Sequence, residues 1–226
     1  MSFWDRLSKY RTHGPQAVGE LALQPADVFR RILGQIADEE LLPLGWSRGT
    51  GLQWFQPIQP WADEVIAFTT LRSAAGIRWG LRLSFVPKLK KSRHGADLHL
   101  SHDPLDYEKD AASWMVSQFA NEEELRSDTR AMVRKAIAES RSLVACCRDL
   151  HSLVKCFEDK KTRKYRRFGF HHYPHEVLAD AAVLGLVGRE EDGLQELDAA
   201  FDRLQASPAE RERFRQALTE LWKKGI

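Results

Sequence analysis

The sequence predicts an α+β fold: an antiparallel meander of five or six strands, an N-terminal helix packed on it, and a helical C-terminal half. Three observations predict it. Between Leu44 and about Phe119, apolar residues alternate with polar ones at a period of two. On both sides of that stretch they recur at three- and four-residue steps, the spacing of one helix face. The strand-like runs follow one another through short links, which implies a meander with one face covered by helix.

The first helix opens at Pro25, where a missing N–H costs nothing, and runs through Val28, Phe29, Ile32, Leu33, Ile36 and Leu41. Pro43 and Gly45 end it. Leu44–Arg48 and Leu52–Gln56 read as strands around a Gly49-Thr50-Gly51 turn. Pro57, Pro60 and Asp63 mark a loop, and Ala74-Ala75-Gly76 marks the next turn. Ile77, Trp79, Leu81, Leu83 and Phe85 alternate with Arg78, Gly80, Arg82 and Ser84, the clearest strand signal in the chain. Lys88 to Gly95 forms a basic hairpin loop, Asp97–Ser101 returns as a strand, and Ser113–Ser117 supplies a sixth.

After Asn121 the pattern is helical, with Glu122, Glu123 and Glu124 in a first turn that favours acids. A helix from 127 to 159 would be unusually long, so a break is expected near Ser140–Ser142. Three helices follow, over roughly 175–187, 190–205 and 208–223. The last starts at Ser207-Pro208-Ala209-Glu210, a capping box with proline at the first helical position. The division of the chain is therefore 1–20 as a weakly ordered arm, 21–120 as helix plus sheet, and 121–226 as a helical half packed on the same unit.

Of the 226 residues, 43% are hydrophobic, enough for a sizeable core and too many for a disordered chain. Charge is nearly balanced, 34 Lys and Arg against 32 Asp and Glu, which excludes a histone-like or tail-type basic protein. The longest apolar run, Val177 to Val187, is interrupted by Asp180, and a span needs about 20 mostly apolar residues, so no membrane partner is expected. Met1-Ser2-Phe3-Trp4-Asp5-Arg6 has an early acid and no apolar signal core, so the expected location is the cytoplasm of a bacterium-like cell. Cys146, Cys147 and Cys156 are an odd, clustered set, a poor disulfide framework that suits a reducing compartment.

The order helix, Leu41-Leu42-Pro43-Leu44-Gly45-Trp46, meander with Trp54 and Phe55, strand Trp79–Phe85, Trp114-Met115-Val116 and helical half resembles a bacterial family of domains of unknown function. Members of that family begin with a leucine-x-proline-x-glycine-aromatic helix exit. The resemblance covers about residues 24–205. Trp46 stands where the family usually has phenylalanine, and the basic insert at 155–172 departs from it. The resemblance implies a fold, and by analogy a toxin-neutralising or partner-binding role; it transfers no catalytic residue.

Three candidate sites emerge. Trp61 lies in a Pro-flanked loop with Asp63 and Glu64, and exposed aromatics are enriched at interface hot spots. Basic residues Lys88, Lys90, Lys91 and Arg93, together with Lys160, Lys161, Arg163 and Lys164, interleave with Tyr165, Phe168 and Phe170 and would suit phosphates and bases. Against that, 121–175 holds 13 basic and 8 acidic residues while 176–226 holds 7 and 11, the pattern of a basic helix end docked on, or solvated beside, an acidic pair of helices. His171, His172 and His175 beside Glu176 are ligand types for zinc or iron, although Pro174 interrupts a shared helix face. Ser101-His102-Asp103 has triad residue types without triad geometry, and Cys147 continues an apolar row.

The reading favoured by these features is a non-enzymatic, cytoplasmic, protein-binding module with no cofactor. A nucleic-acid or anion binder built on 88–93 and 155–167 is the alternative. A metal-dependent enzyme around His171, His172 and His175 is the second alternative.

Overall fold

The computed structural model describes residues 26–71, 74–87, 107–109, 114–116, 122–163, 174–204 and 206–226. The arm expected over 1–20, the basic loop at Lys88–Gly95 and the strand expected at Asp97–Ser101 lie outside them.

Helix α1 (Ala26–Leu41) buries the predicted stripe: Phe29, Ile32, Leu33, Ile36 and Leu41 are all inside. Its exit follows from two residues. Pro43 sits in a 3-10 turn, Leu42–Leu44, and Gly45 takes the left-handed conformation at φ 88°, donating its N–H to the Leu42 carbonyl. A side chain at position 45 would carry a strain that glycine does not.

The sheet is an antiparallel meander of four consecutive strands: β1 (Ser47–Arg48), β2 (Gln53–Gln59), β3 (Ala62–Leu71) and β4 (Ala74–Leu83). Two three-residue segments, β5 (Tyr107–Lys109) and β6 (Trp114–Val116), pair with different halves of β4. The expected five or six strands thus become four consecutive ones with two short additions. Two loop assignments also change. β2 continues through Pro57, with a register shift before Gln59, so the connection to β3 is the turn at Pro60–Trp61 and Asp63 is a strand residue. Ala74-Ala75-Gly76 is the start of β4, paired with Leu71, Thr70 and Thr69. Long antiparallel pairing outweighs the turn preference of one glycine.

Register places Trp54, Ile66 and Trp79 on one rung and Glu64 opposite Leu81 on another. Side chains alternate, so Trp54, Ala62, Glu64, Ile66, Phe68, Ile77, Trp79, Leu81 and Leu83 share one buried face. On the other face the Arg82 guanidinium stacks 4.3 Å from the Phe55 ring centre and bonds to Gln53.

The helical half comprises α2 (Glu122–Cys146), α3 (Leu150–Arg163), α4 (Pro174–Leu186), α5 (Glu190–Leu204) and α6 (Pro208–Lys224). α2 packs against α1 and the sheet, and one continuous buried cluster runs from Phe29 on α1 through the sheet to Leu218 on α6. α4 is central: every residue from Glu176 to Leu184 is buried, and α3, α5 and α6 all touch it. At Gly185 an added Cβ would fall 2.0 Å from the Trp222 ring, whose indole N–H reaches the Ala182 carbonyl at 3.1 Å. The run Val177–Val187 is therefore a core helix, and among the described residues no helix is long and apolar enough to cross a membrane.

The helix break expected near Ser140–Ser142 falls at Cys147–Asp149 instead. The Ser140 hydroxyl bonds back to the Ile137 carbonyl at 2.9 Å, so the helix absorbs it. Asp149 then caps α3 by accepting the Ser152 N–H at 2.7 Å. The cysteines also depart from expectation: Cys146 and Cys156 form a disulfide across this break, and Cys147 stays a buried thiol.

Candidate functional site

The strongest convergence of charge is internal. α3 carries Lys160 and Lys161 to the buried helix α4, whose Glu176 and Asp180 are four residues apart and so share a face. Lys160 pairs with Glu176, and both side chains are 5% exposed. Lys161 pairs with Asp180 at 2.5 Å and with Glu196 of α5 at 2.7 Å. At the rim, Arg189 joins Glu158 at 2.8 Å and Asp192 at 2.7 Å. Burial pushes the Asp180 carboxyl up to about 6, outweighing the pull of Lys161. Burial also opposes the charge on Lys161, but Asp180 and Glu196 together outweigh it and raise its ammonium above the ordinary lysine range.

Lys160 and Lys161, expected in a basic surface segment, are thus spent inside the protein. Their partners are the acids of the C-terminal helices, one of the two arrangements that the charge asymmetry allows. Arg163 closes α3, while Lys164, Lys88, Lys90, Lys91 and Arg93 lie outside the described residues. The cluster ties three helices together, α3 supplying the cations and α4 and α5 the carboxylates. Sequence reading passed over it because Asp180 registered only as an interruption of an apolar run. The available signal was the spacing Glu176–Asp180 on an otherwise apolar helix opposite the adjacent pair Lys160-Lys161.

His175 is the second residue of α4, with its Nε2 sealed and lacking a hydrogen-bond partner. Burial, and to a lesser degree the charge of Arg78, pushes the ring down to about 4, so it is neutral at pH 7. His171 and His172 lie outside the described residues. Among the described residues no group of three His, Cys, Asp or Glu is placed to hold a metal ion.

Trp61, Asp63 and Glu64 do not form one exposed loop. Trp61, in the β2–β3 turn, is half-buried against the core, its ring 6.0 Å from that of Phe85. Asp63 and Glu64 are strand neighbours on opposite faces. Glu64 is 5% exposed and faces the core, with Oε1 lacking a donor. Burial raises its carboxyl above the usual range, only partly opposed by the nearby Ser140 hydroxyl. Its charge, after burial itself, helps push the Cys147 thiol up to about 12.

The outer surface offers a different feature. Arg126, Arg130 and Arg134 recur every four residues along α2 and line an open groove of about 620 Å³, with Glu122, Glu123 and Ser127 at one end. The last turn of α1 clamps this ladder: Glu39 accepts from Arg130 at 2.7 Å, and Glu40 takes Arg134 through two bonds at 2.9 and 3.1 Å. Arg134 remains 69% exposed while Glu40 beneath it is 16% exposed. The chain runs from Glu40 directly into the Leu42–Leu44 turn. There Leu42 and Leu44 are 46% and 54% exposed, a pair of aliphatic side chains held in water. In the sequence this motif marks a helix stop and carries the family resemblance, but its solvent-facing leucines are invisible to a periodicity argument.

Compared with known proteins, the chain matches no family model, no curated protein and no solved structure.

Proposed function

We propose that the chain is a non-enzymatic protein-binding module whose contact surface is the Leu42–Pro43–Leu44 turn together with the arginine-lined groove on α2. The observation that carries this reading is the exposure of Leu42 and Leu44 within one 3-10 turn. Fully burying a wholly exposed leucine is worth about 1.5–3 kcal/mol, and the fold forgoes roughly half of that at each position. Pro43 and the left-handed Gly45 hold the turn rigid, so little ordering is lost when a partner covers it. The adjoining guanidiniums add the residue type most enriched with aromatics at interfaces. The partner segment fitting this surface presents apolar side chains next to carboxylates that meet Arg130 and Arg134.

The test compares three forms of the full chain as baits in a native lysate: wild type, Leu42→Ser/Leu44→Ser, and Arg130→Glu/Arg134→Glu. A partner retained by wild type and lost from both variants, at unchanged Tm, is the expected result. The same retained proteins on all three baits would reject the reading.

A further inference from the structure

We propose that Cys146 and Cys156 form a reversible dithiol–disulfide site, attacked by small thiols at Cys156, that latches α3 in place. The bond joins the last residue of α2 to the middle of α3 across the break at 147–149, with Cα atoms 5.9 Å apart, inside the usual range for bridged cysteines. Four residues beyond Cys156 begin the lysines that meet Glu176, Asp180 and Glu196. The latch therefore sits on the element that delivers both buried cations.

Burial differs between the two residues. Cys146 is 9% exposed, whereas Cys156 is half-buried at the edge of the core. The third cysteine does not interfere. Cys147 is 0% exposed, and burial with the neighbouring Glu64 charge keeps its thiol protonated, so it neither attacks the bond nor scrambles it. Exchange is thus confined to Cys146 and Cys156.

The chemistry balances with a dithiol as reductant. One reductant thiolate attacks Cys156 Sγ; the Sγ–Sγ bond breaks, a mixed disulfide forms, and Cys146 leaves as a thiolate that takes up a proton. The second reductant thiol, giving up its proton, closes the reductant's own disulfide and releases Cys156, which is then protonated. Two electrons and two protons pass from the dithiol to the cysteine pair.

The experiment uses the full chain with glutathione and dithiothreitol as probes. After incubation with oxidised glutathione, alkylation under denaturing conditions should add one group, at Cys147. After dithiothreitol under native conditions it should add three, with Tm lowered by about 5–10 °C. The Cys156→Ser variant should show one Tm in both conditions. In Cys146→Ser, oxidised glutathione should leave a single adduct that maps to Cys156. Three alkyl groups after oxidised glutathione would overturn the proposal. So would a bond that dithiothreitol opens only once the protein is unfolded, or an adduct on Cys147 in place of Cys156.

Discussion

Glu64 in the sheet half and Asp180 in the helical half are both buried carboxylates, yet they sit in different company. Glu64 faces an apolar layer of Trp54, Ile66 and Leu81, and one of its oxygens has no donor. Asp180 stands on an apolar helix too, and its oxygens also lack a well-aligned hydrogen bond, but the Lys161 ammonium lies 2.5 Å away and Lys160 reaches Glu176 one turn earlier. The sheet half closes by burying large apolar side chains against α1 and α2 and tolerates one acid. The helical half closes by burying small apolar residues along α4 and ties its neighbours on with ions. The difference teaches that the two halves fail differently: the first through cavities, the second through uncompensated charge.

The largest effect expected from this comparison comes from breaking the Lys160–Glu176 pair. Lys160→Ala leaves a carboxylate buried without its cation, at a cost of about 3–5 kcal/mol. Lys160→Met/Glu176→Leu removes both charges and keeps the volume, so it should recover most of that loss. Urea denaturation of the two variants and wild type measures both. A double variant no more stable than Lys160→Ala would show that the pair stabilises beyond its own desolvation, and the contrast between the halves would then need another cause.

Next in size is the pH dependence of the helical half. The Asp180 carboxyl is raised from 3.8 to about 6, so the folded state holds its proton more tightly than the unfolded chain. Its contribution is full below the unfolded value and is lost as pH rises from about 4 to about 6, a fall on the order of 1–3 kcal/mol. His175 imposes the opposite slope. Its ring is lowered from 6.5 to about 4, so stability is lost as pH falls through that interval. The two limbs offset one another in the wild type. They should separate in variants: Asp180→Asn gains stability from pH 4 to 6.5, and His175→Gln loses it over the same range. Identical profiles for both variants would refute the assignment.

Glu64 supplies the matching experiment in the sheet half, with a smaller effect. Its carboxyl is raised above 4.5 by burial, so wild-type stability declines as pH climbs through the raised value. Glu64→Gln keeps the shape and removes the charge, and should stabilise the protein at pH 7 while flattening this limb. It should also ease ionisation of Cys147, which Glu64 opposes. The ultraviolet absorbance of the Cys147 thiolate, appearing at lower pH in the variant than in the wild type, checks that link directly.

How much of this was legible depended on whether the signal was local. The capping box at Ser207 and Glu210 was readable because four adjacent residues carry the whole device, and both reciprocal bonds form. The α1 stripe and the β4 alternation were readable for the same reason: one element's periodicity records which face it buries. The β2–β3 turn was misjudged because prolines tolerated on an edge-side strand look like loop markers. The candidate site was mostly illegible. That Lys160 belongs to Glu176 is a fact about how two helices cross, and a run of lysines reads the same whether it meets water or acid. Glu64 illustrates the limit sharply, since a two-residue error in placing the turn separates an exposed loop acid from a core acid.

Arg189 isolates burial from pairing, at the small end of the scale. It makes two close ion pairs, with Glu158 and Asp192, at the rim of the cluster that contains Lys160. Its side chain is 45% exposed and its partners are 48% and 51% exposed, so water already solvates the separated charges. Arg189→Ala should therefore cost far less than Lys160→Ala, and that cost should shrink in high salt. Lys160→Ala, by contrast, should keep its full penalty in the same salt, because a buried pair is screened little. Equal losses from the two substitutions at both salt concentrations would mean that the number of ion pairs, and not their removal from water, holds α3 and α5 against α4.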